Sequence, residues 1–185
     1  MKRIADLDPA QMTPAQREIH DLIASGPRKG VRGPLAVWLH RPELARNAQA
    51  LGRYCRYETS LEPRLSELAI LVIGRYWSAG YEWYAHKPIA LEAGVSAEVV
   101  EAIRSREAPV FARDDEAAVY DFLTELHRDR KVSQATYDRA VAQLGEEGVV
   151  DLTGLAGYYT LISMTINVFQ VPVPEGQTNE MESQA

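Results

Sequence analysis

Cysteine is almost missing from this 185-residue sequence, which has a single one, Cys55. One thiol cannot form an intramolecular disulfide, so a disulfide-stapled fold is excluded and a reducing cytoplasm is the expected compartment. The same count excludes a CxxC redox centre and a cysteine-rich zinc site. A dithiol mechanism is therefore closed to this chain.

An excess of basic charge is also missing, since 26 acidic residues outnumber 20 lysines and arginines and the formal net charge is −6. The one basic cluster is short and comprises Arg28, Lys29 and Arg32. Nucleic acid is therefore not an expected partner. The first residues, MKRIADLDPAQMT, lack the apolar core of a signal peptide, so none is expected.

Long uninterrupted apolar runs are missing as well. The most apolar stretch, residues 149–171, contains Asp151, Asn167 and several hydroxyl groups. A helix that spans a bilayer needs about 20 predominantly apolar residues. We therefore predict a buried helix of a soluble bundle here, and no membrane association.

No segment alternates apolar and polar residues as a strand does, whereas helix signals recur. Thr13 followed by proline is a typical helix start, and Pro42 and Pro63 open two further helical patterns. Residues 63–77 are apolar around the whole helix, which is typical of a helix buried in a larger assembly. The length suits one domain with a proper core. The sequence predicts an all-α fold.

Residues 75–94, RYWSAGYEWYAHKPIALEAG, hold the first candidate for chemistry. Glu82 and His86 are four residues apart, which places both side chains on one face of a helix. A carboxylate that is hydrogen-bonded to an imidazole fixes the ring's tautomer and helps it act as acid or base. The alternative is an exposed pair that stabilises the helix by about 0.2–0.5 kcal/mol. The spacing alone leaves both interpretations open.

Three further residues also have two interpretations each. Glu67 lies among apolar residues and is either a buried functional acid or a solvent-facing residue favoured near a helix N-terminus. Tyr81 and Trp83 either wall a pocket for a flat ligand or belong to the core.

The basic cluster lies on a glycine-rich loop, where it could capture a carboxylate, although a solvated loop is the simpler interpretation. The remaining histidines show no ligand-like spacing, so no metal site is expected. They are His20, His40 and His127. The sequence also has no nucleotide-binding glycine loop and no nucleophilic serine motif, and no cofactor is expected.

Residues 61–104 resemble the carboxymuconolactone decarboxylase family, within the alkylhydroperoxidase D superfamily. Redox members of that superfamily carry the pattern Glu-x11-Cys-x2-Cys-x3-His. Counted from Glu67, the two cysteine positions are occupied by Ala79 and Glu82, and the histidine position by His86. The glutamate and the histidine fall in register while both cysteines are replaced, so peroxide reduction through a dithiol is excluded.

The branch that resembles true carboxymuconolactone decarboxylases also lacks the cysteines. It has Glu-x3-His followed by an ALxxG-like element, which reads ALEAG in this chain. The resemblance implies an alkylhydroperoxidase D-like helical bundle that assembles as a homo-oligomer, often a trimer or hexamer. We expect one domain over residues 1–185. It has a helical extension at 1–60, the core motif at 61–104 and a flexible tail at 171–185.

The resemblance also implies cofactor-free decarboxylation, or related proton transfer, on a small unsaturated lactone or another carboxylic acid. The implied catalytic residues are Glu67, Glu82 and His86. The residues expected to bind this small-molecule substrate are Arg64, Arg75, Tyr81 and Trp83. An isomerase or dehydratase on the same scaffold and a non-catalytic ligand-binding protein remain alternatives, whereas the cysteine count disfavours a thiol peroxidase.

Overall fold

The computed structural model describes residues 2–181, and every regular element within that range is a helix. A short 3-10 helix, Pro9–Gln11, precedes the α-helices. These are α1 (Pro14–Ala24), α2 (Pro34–Trp38), α3 (Pro42–Tyr57), α4 (Pro63–Tyr76), α5 (Gly80–Glu92), α6 (Ala97–Ser105), α7 (Asp114–Asp129) and α8 (Gln134–Phe169). The all-α prediction is confirmed.

The helix starts follow local sequence signals. Each of α1 to α4 begins at a proline, whose fixed φ and missing N–H suit the first helical position. At α1, the Thr13 hydroxyl accepts a hydrogen bond from the Gln16 amide, and the Gln16 side chain accepts one from the Thr13 amide. This reciprocal capping box satisfies two donors that the first turn leaves unpaired.

Helix α4 is the centre of the bundle and packs against α5, α6, α7 and α8. Its residues from Arg64 to Gly74 are all buried. Burying one leucine or isoleucine side chain contributes about 1.5–3 kcal/mol, so this helix is a main source of stability. Helices of the same chain therefore account for the apolar pattern around α4.

Helix α8 is bent at Gly145, whose backbone (φ 73°, ψ 169°) is not helical. By length and composition, α8 could cross a membrane, but 61% of its apolar 18-residue window is buried inside the protein. Its Asp151 carboxylate accepts hydrogen bonds from the Tyr54 hydroxyl at 2.6 Å and the Ser60 amide at 2.7 Å. Helix α8 is thus a core helix of a soluble helical protein.

Helix α5 carries two of the candidate catalytic residues and is continuous through Pro88. Pro88 is exposed, so water can bond the carbonyl that the missing N–H leaves free. The residue that precedes the helix is Ala79. Ser78 does not cap α5, because its backbone is left-handed and its hydroxyl accepts from Arg106 instead.

The segment after α8 returns to α5. The Glu180 carboxylate accepts hydrogen bonds from Trp83 Nε1 at 3.2 Å and from Lys87 Nζ at 2.7 Å, and Met181 is buried. The predicted flexible tail covers residues 171–185, of which 182–185 lie outside the described residues. Up to Met181, these contacts anchor the segment on the bundle.

Candidate active site

The site is built where α4 and α5 pack together. His86 Nδ1 lies 2.6 Å from Glu67 Oε2, and both side chains are buried. A carboxylate at this distance accepts a hydrogen bond from Nδ1–H, which fixes the ring's orientation and leaves Nε2 for the opposite side. Glu67 and His86, which the motif register assigns to one site, therefore meet directly in the structure.

Glu82 lies on that opposite side, one helical turn before His86. Its Oε1 is 3.2 Å from His86 Nε2, which is an ion-pair distance without the angles of a directed hydrogen bond. The residue is only 4% exposed, and within residues 2–181 this oxygen has no hydrogen-bond partner. Burial raises the pKa of Glu82, outweighing the opposing attraction of His86. The imidazole thus stands between two carboxyl groups with different surroundings.

Two tyrosines of α8 form the wall beside the imidazole. The Tyr159 ring meets His86 edge to face, with ring centroids 5.4 Å apart, and Tyr158 packs on Tyr159 in the same way at 5.2 Å. Burial raises the pKa of both hydroxyls, so they stay protonated and can act as donors. This wall shields one side of the imidazole from water.

A cavity of about 180 Å³ opens in front of these groups. Glu82, His86 and the two tyrosines line it, whereas Glu67 lies behind the imidazole and does not. Substrate in this cavity would touch Glu82 and His86 directly. Glu67 would act only through His86, as a positioning residue.

Of the residues expected to bind substrate, the structure brings one, Tyr81, to the cavity. Arg64 instead pairs with Asp115 at 2.6 Å and Glu116 at 2.7 Å. Trp83 is 1% exposed. It points away because successive residues of a helix are about 100° apart.

Arg75 also lies elsewhere. It borders a separate groove together with Tyr76 and His127, and its Nη1 contacts the Met181 sulfur at 3.6 Å. Both Arg64 and Arg75 therefore serve contacts between elements of the fold, away from the cavity.

Three other arginines line the cavity instead: Arg28, Arg32 and Arg56. Arg28 and Arg32 belong to the basic cluster, for which the sequence allowed carboxylate capture but favoured a solvated loop, whereas no local signal indicates Arg56. For Tyr158 and Tyr159, which were not predicted, the available signal is a tyrosine pair inside the most apolar helix. These residues reach the cavity through tertiary packing.

The single thiol is not part of the site. Cys55 is buried on α3, and burial, followed by the charge of Asp151, raises its pKa to about 11. Because only the thiolate is a strong nucleophile, this cysteine is unreactive at neutral pH.

The three acid–base groups do not form a metal site either. Within residues 2–181, no group of three His, Cys, Asp or Glu side chains is arranged to hold a metal ion. Glu67 and Glu82 approach opposite nitrogens of His86, so their oxygens do not converge on one point.

The segment that contains the three acid–base residues also matches a known protein family. Residues 42–125, from α3 into α7, match the carboxymuconolactone decarboxylase family. This segment, just under half of the chain, is therefore similar to that family. The match contains Glu67, Glu82 and His86, whereas the basic loop and the tyrosine pair lie outside it. Comparison with curated proteins gave no match.

Solved structures show the same fold. A peroxidase-related protein from Silicibacter sp. TM1040 superposes with a TM-score of 0.75 at 13% identity, over 98% of this chain and 96% of its own. An alkylhydroperoxidase AhpD core protein from Ralstonia eutropha JMP134 gives 0.76 at 14% identity, over 94% and 93%. A variant of the debrominase Bmp8, in complex with 2,3,4-tribromopyrrole, gives 0.67 at 14% identity, over 94% and 91%. At these identities, the likeness establishes an alkylhydroperoxidase D-like fold.

Proposed function

We propose that this chain is a cofactor-free acid–base enzyme, and in the first place a decarboxylase of a small unsaturated lactone or another carboxylic acid. One observation carries the proposal: His86 is held by buried Glu67 and faces a cavity together with buried Glu82. The family that residues 42–125 match is named for such a decarboxylation. We place the enzyme in the cytoplasm.

The first step is loss of CO2. The bond to the leaving carboxylate breaks, and its electron pair passes into an adjoining carbonyl as an enolate. His86, when protonated, donates from Nε2 to the developing oxyanion, while Glu67 compensates the imidazolium charge through Nδ1. Donors placed in this way are worth about 10²–10³-fold in rate.

The second step is return of a proton to carbon. Because burial raises the pKa of Glu82, this carboxyl group keeps a proton to a higher pH than an ordinary glutamate. It lies in the cavity beside His86, so both can reach the same substrate. Glu82 is therefore the proposed proton donor, and solvent restores its proton after each turnover.

An isomerase or dehydratase is the second candidate, since Glu82 and His86 can also move a proton between two carbon atoms without loss of CO2. The test is CO2 release from γ-carboxymuconolactone by wild-type protein and by His86→Ala. His20→Ala is the control, because that imidazole is at the surface and pairs with Asp21. Release that only His86→Ala abolishes supports the decarboxylase. Conversion of the lactone without CO2 supports the isomerase, and no conversion contradicts action on this substrate.

We further propose a homo-oligomer, a trimer or a hexamer, as the family resemblance implies. Sedimentation equilibrium of the purified protein measures the mass directly. A mass equal to that of one 20.7 kDa chain would contradict this proposal.

A further inference from the structure

Three guanidinium groups converge on the cavity from two parts of the chain. Arg28 and Arg32 come from the loop between α1 and α2, and Arg56 comes from the last turn of α3. Within residues 2–181, none of the three has a carboxylate within 4.0 Å. By contrast, the buried Arg64 has three such partners. Arg28 donates a hydrogen bond to Gln49 Oε1 at 3.5 Å, and the Arg56 guanidinium lies over the Tyr57 ring at 5.3 Å. Within residues 2–181 the three positive charges beside the cavity therefore lack a carboxylate partner.

Two glycines allow the basic loop to pack closely against residues that line the cavity. A Cβ at Gly52 of α3 would lie 2.0 Å from Tyr158 Oη and 2.7 Å from Arg28 Nη2. Only glycine lets both groups approach the helix backbone so closely. At Gly33 (φ 58°), a Cβ would lie 2.4 Å from the ring of Tyr81, which lines the cavity. The loop is thus packed on the site.

Among the described residues, the cavity offers these cations no ion pair within 4.0 Å, although the charges of Arg56 and Arg28 favour the ionised form of its carboxyl group. Glu82 is the carboxyl group that lines it, and one of its oxygens is buried without a hydrogen-bond partner among residues 2–181. A buried polar atom without a hydrogen-bond partner is unfavourable, so a ligand that reaches it gains from the contact. The cavity therefore suits a ligand with an anionic end toward the arginines and a polar, reacting end toward Glu82 and His86.

We propose that Arg28, Arg32 and Arg56 form an anion-binding subsite for a carboxylate that the substrate keeps through the reaction. That the substrate keeps this carboxylate follows from electrostatics and rests on the proposed function. Cations beside a departing carboxylate stabilise the charged reactant more than neutral CO2, and this would slow the reaction. Guanidinium groups bind carboxylates in bidentate fashion, which also fixes the substrate's orientation. The substrate then carries a second carboxylate at a distance from the reacting one.

Binding can be measured without turnover, by calorimetry with benzoate and its neutral isostere benzamide. We expect benzoate to bind with a Kd of about 1 mM or below, at least about tenfold more tightly than benzamide. Added salt should weaken the binding of benzoate alone. Arg28→Gln and Arg56→Gln should each weaken benzoate binding by about tenfold or more, because each removes a charge-assisted hydrogen bond.

The matched control is Arg53→Gln. Arg53 lies one turn before Arg56 on α3, pairs with Glu58 and does not line the cavity; its side chain is 61% exposed. This change should leave benzoate binding unaltered. Arg32→Gln serves as the variant least able to disturb the fold, because Arg32 is exposed, and it too should weaken benzoate binding.

Equal affinity for benzoate and benzamide would overturn the subsite. So would unchanged benzoate affinity in all three cavity variants. If benzoate binds through the arginines but no acid is decarboxylated, the subsite stands and the proposed reaction fails. If the wild type releases CO2 and the arginine variants keep its KM, the reaction stands and the subsite fails.

Discussion

Glu67→Gln tests how the site works, because Glu67 touches no substrate and can act only through His86. The substitution keeps the size of the side chain but removes the charge 2.6 Å from Nδ1. The imidazolium that donates to the developing oxyanion then loses its compensating carboxylate. We expect the fold to persist, since the amide fills the same space at the same buried position.

The size of the effect follows from that one contact. A hydrogen bond to a charged group contributes about 1.5–3 kcal/mol. Because each 1.36 kcal/mol changes a rate tenfold, kcat should fall by about 10–200-fold. KM should stay nearly constant, since Glu67 does not line the cavity. Arg28→Gln should do the opposite and raise KM, because Arg28 does line it.

Steady-state kinetics on a turned-over acid separates these outcomes, and circular dichroism verifies the helical content of each variant. A fall in kcat without a change in KM supports a positioning role for Glu67. An unchanged kcat, or a rise in KM alone, would refute the reasoning, since Glu67 would then not act through the imidazole.

The other predictions concern catalysis, pH and packing. His86→Ala and Glu82→Gln should each lower turnover by about 10²–10⁴-fold while the helical content measured by circular dichroism is kept; unchanged turnover would remove that residue from the site. Because burial raises the pKa of Glu82, the folded state binds more protons than the unfolded chain between the ordinary glutamate pKa, about 4.3, and the raised one. Stability should therefore fall as pH rises through this window, and Tm measured against pH should show that Glu82→Gln lacks the fall. Parallel curves of Tm against pH for the wild type and Glu82→Gln would contradict this prediction. Gly52→Ala should lower Tm through its clash with Tyr158, whereas Gly157→Ala, where a Cβ meets nothing within 4 Å, should leave Tm unchanged or raise it. Equal shifts in thermal denaturation would argue against the clash.

Most of the fold was predictable because its signals are local. Prolines at first helical positions and the Thr13 cap mark helix starts without any knowledge of the neighbours. Gly145 is where α8 bends, because glycine alone readily adopts its left-handed backbone. Glu82 and His86 share a helix face for the same local reason, and the family register linked them to Glu67.

The residues around the catalytic groups depend on packing between distant helices, which local patterns do not encode. Arg64 looked available for a substrate, but α7 supplies the carboxylates that pair with it. The indole N–H of Trp83 donates a hydrogen bond to Glu180, in the segment after α8. Conversely, Arg56 and Tyr158 reach the cavity from α3 and α8, about a hundred residues apart, and no spacing rule joins them.

Solvent proton transfer to substrate carbon tests the central claim most directly, because it reports on Glu82 and His86 whether or not CO2 is lost. The reaction of γ-carboxymuconolactone is run in D2O, and the product is analysed by mass spectrometry. We predict that the wild type places one deuterium on carbon, and that Glu82→Gln and His86→Ala do so about 10²–10⁴-fold more slowly. Incorporation at the wild-type rate in both variants would contradict the assignment of these residues as the reaction centre.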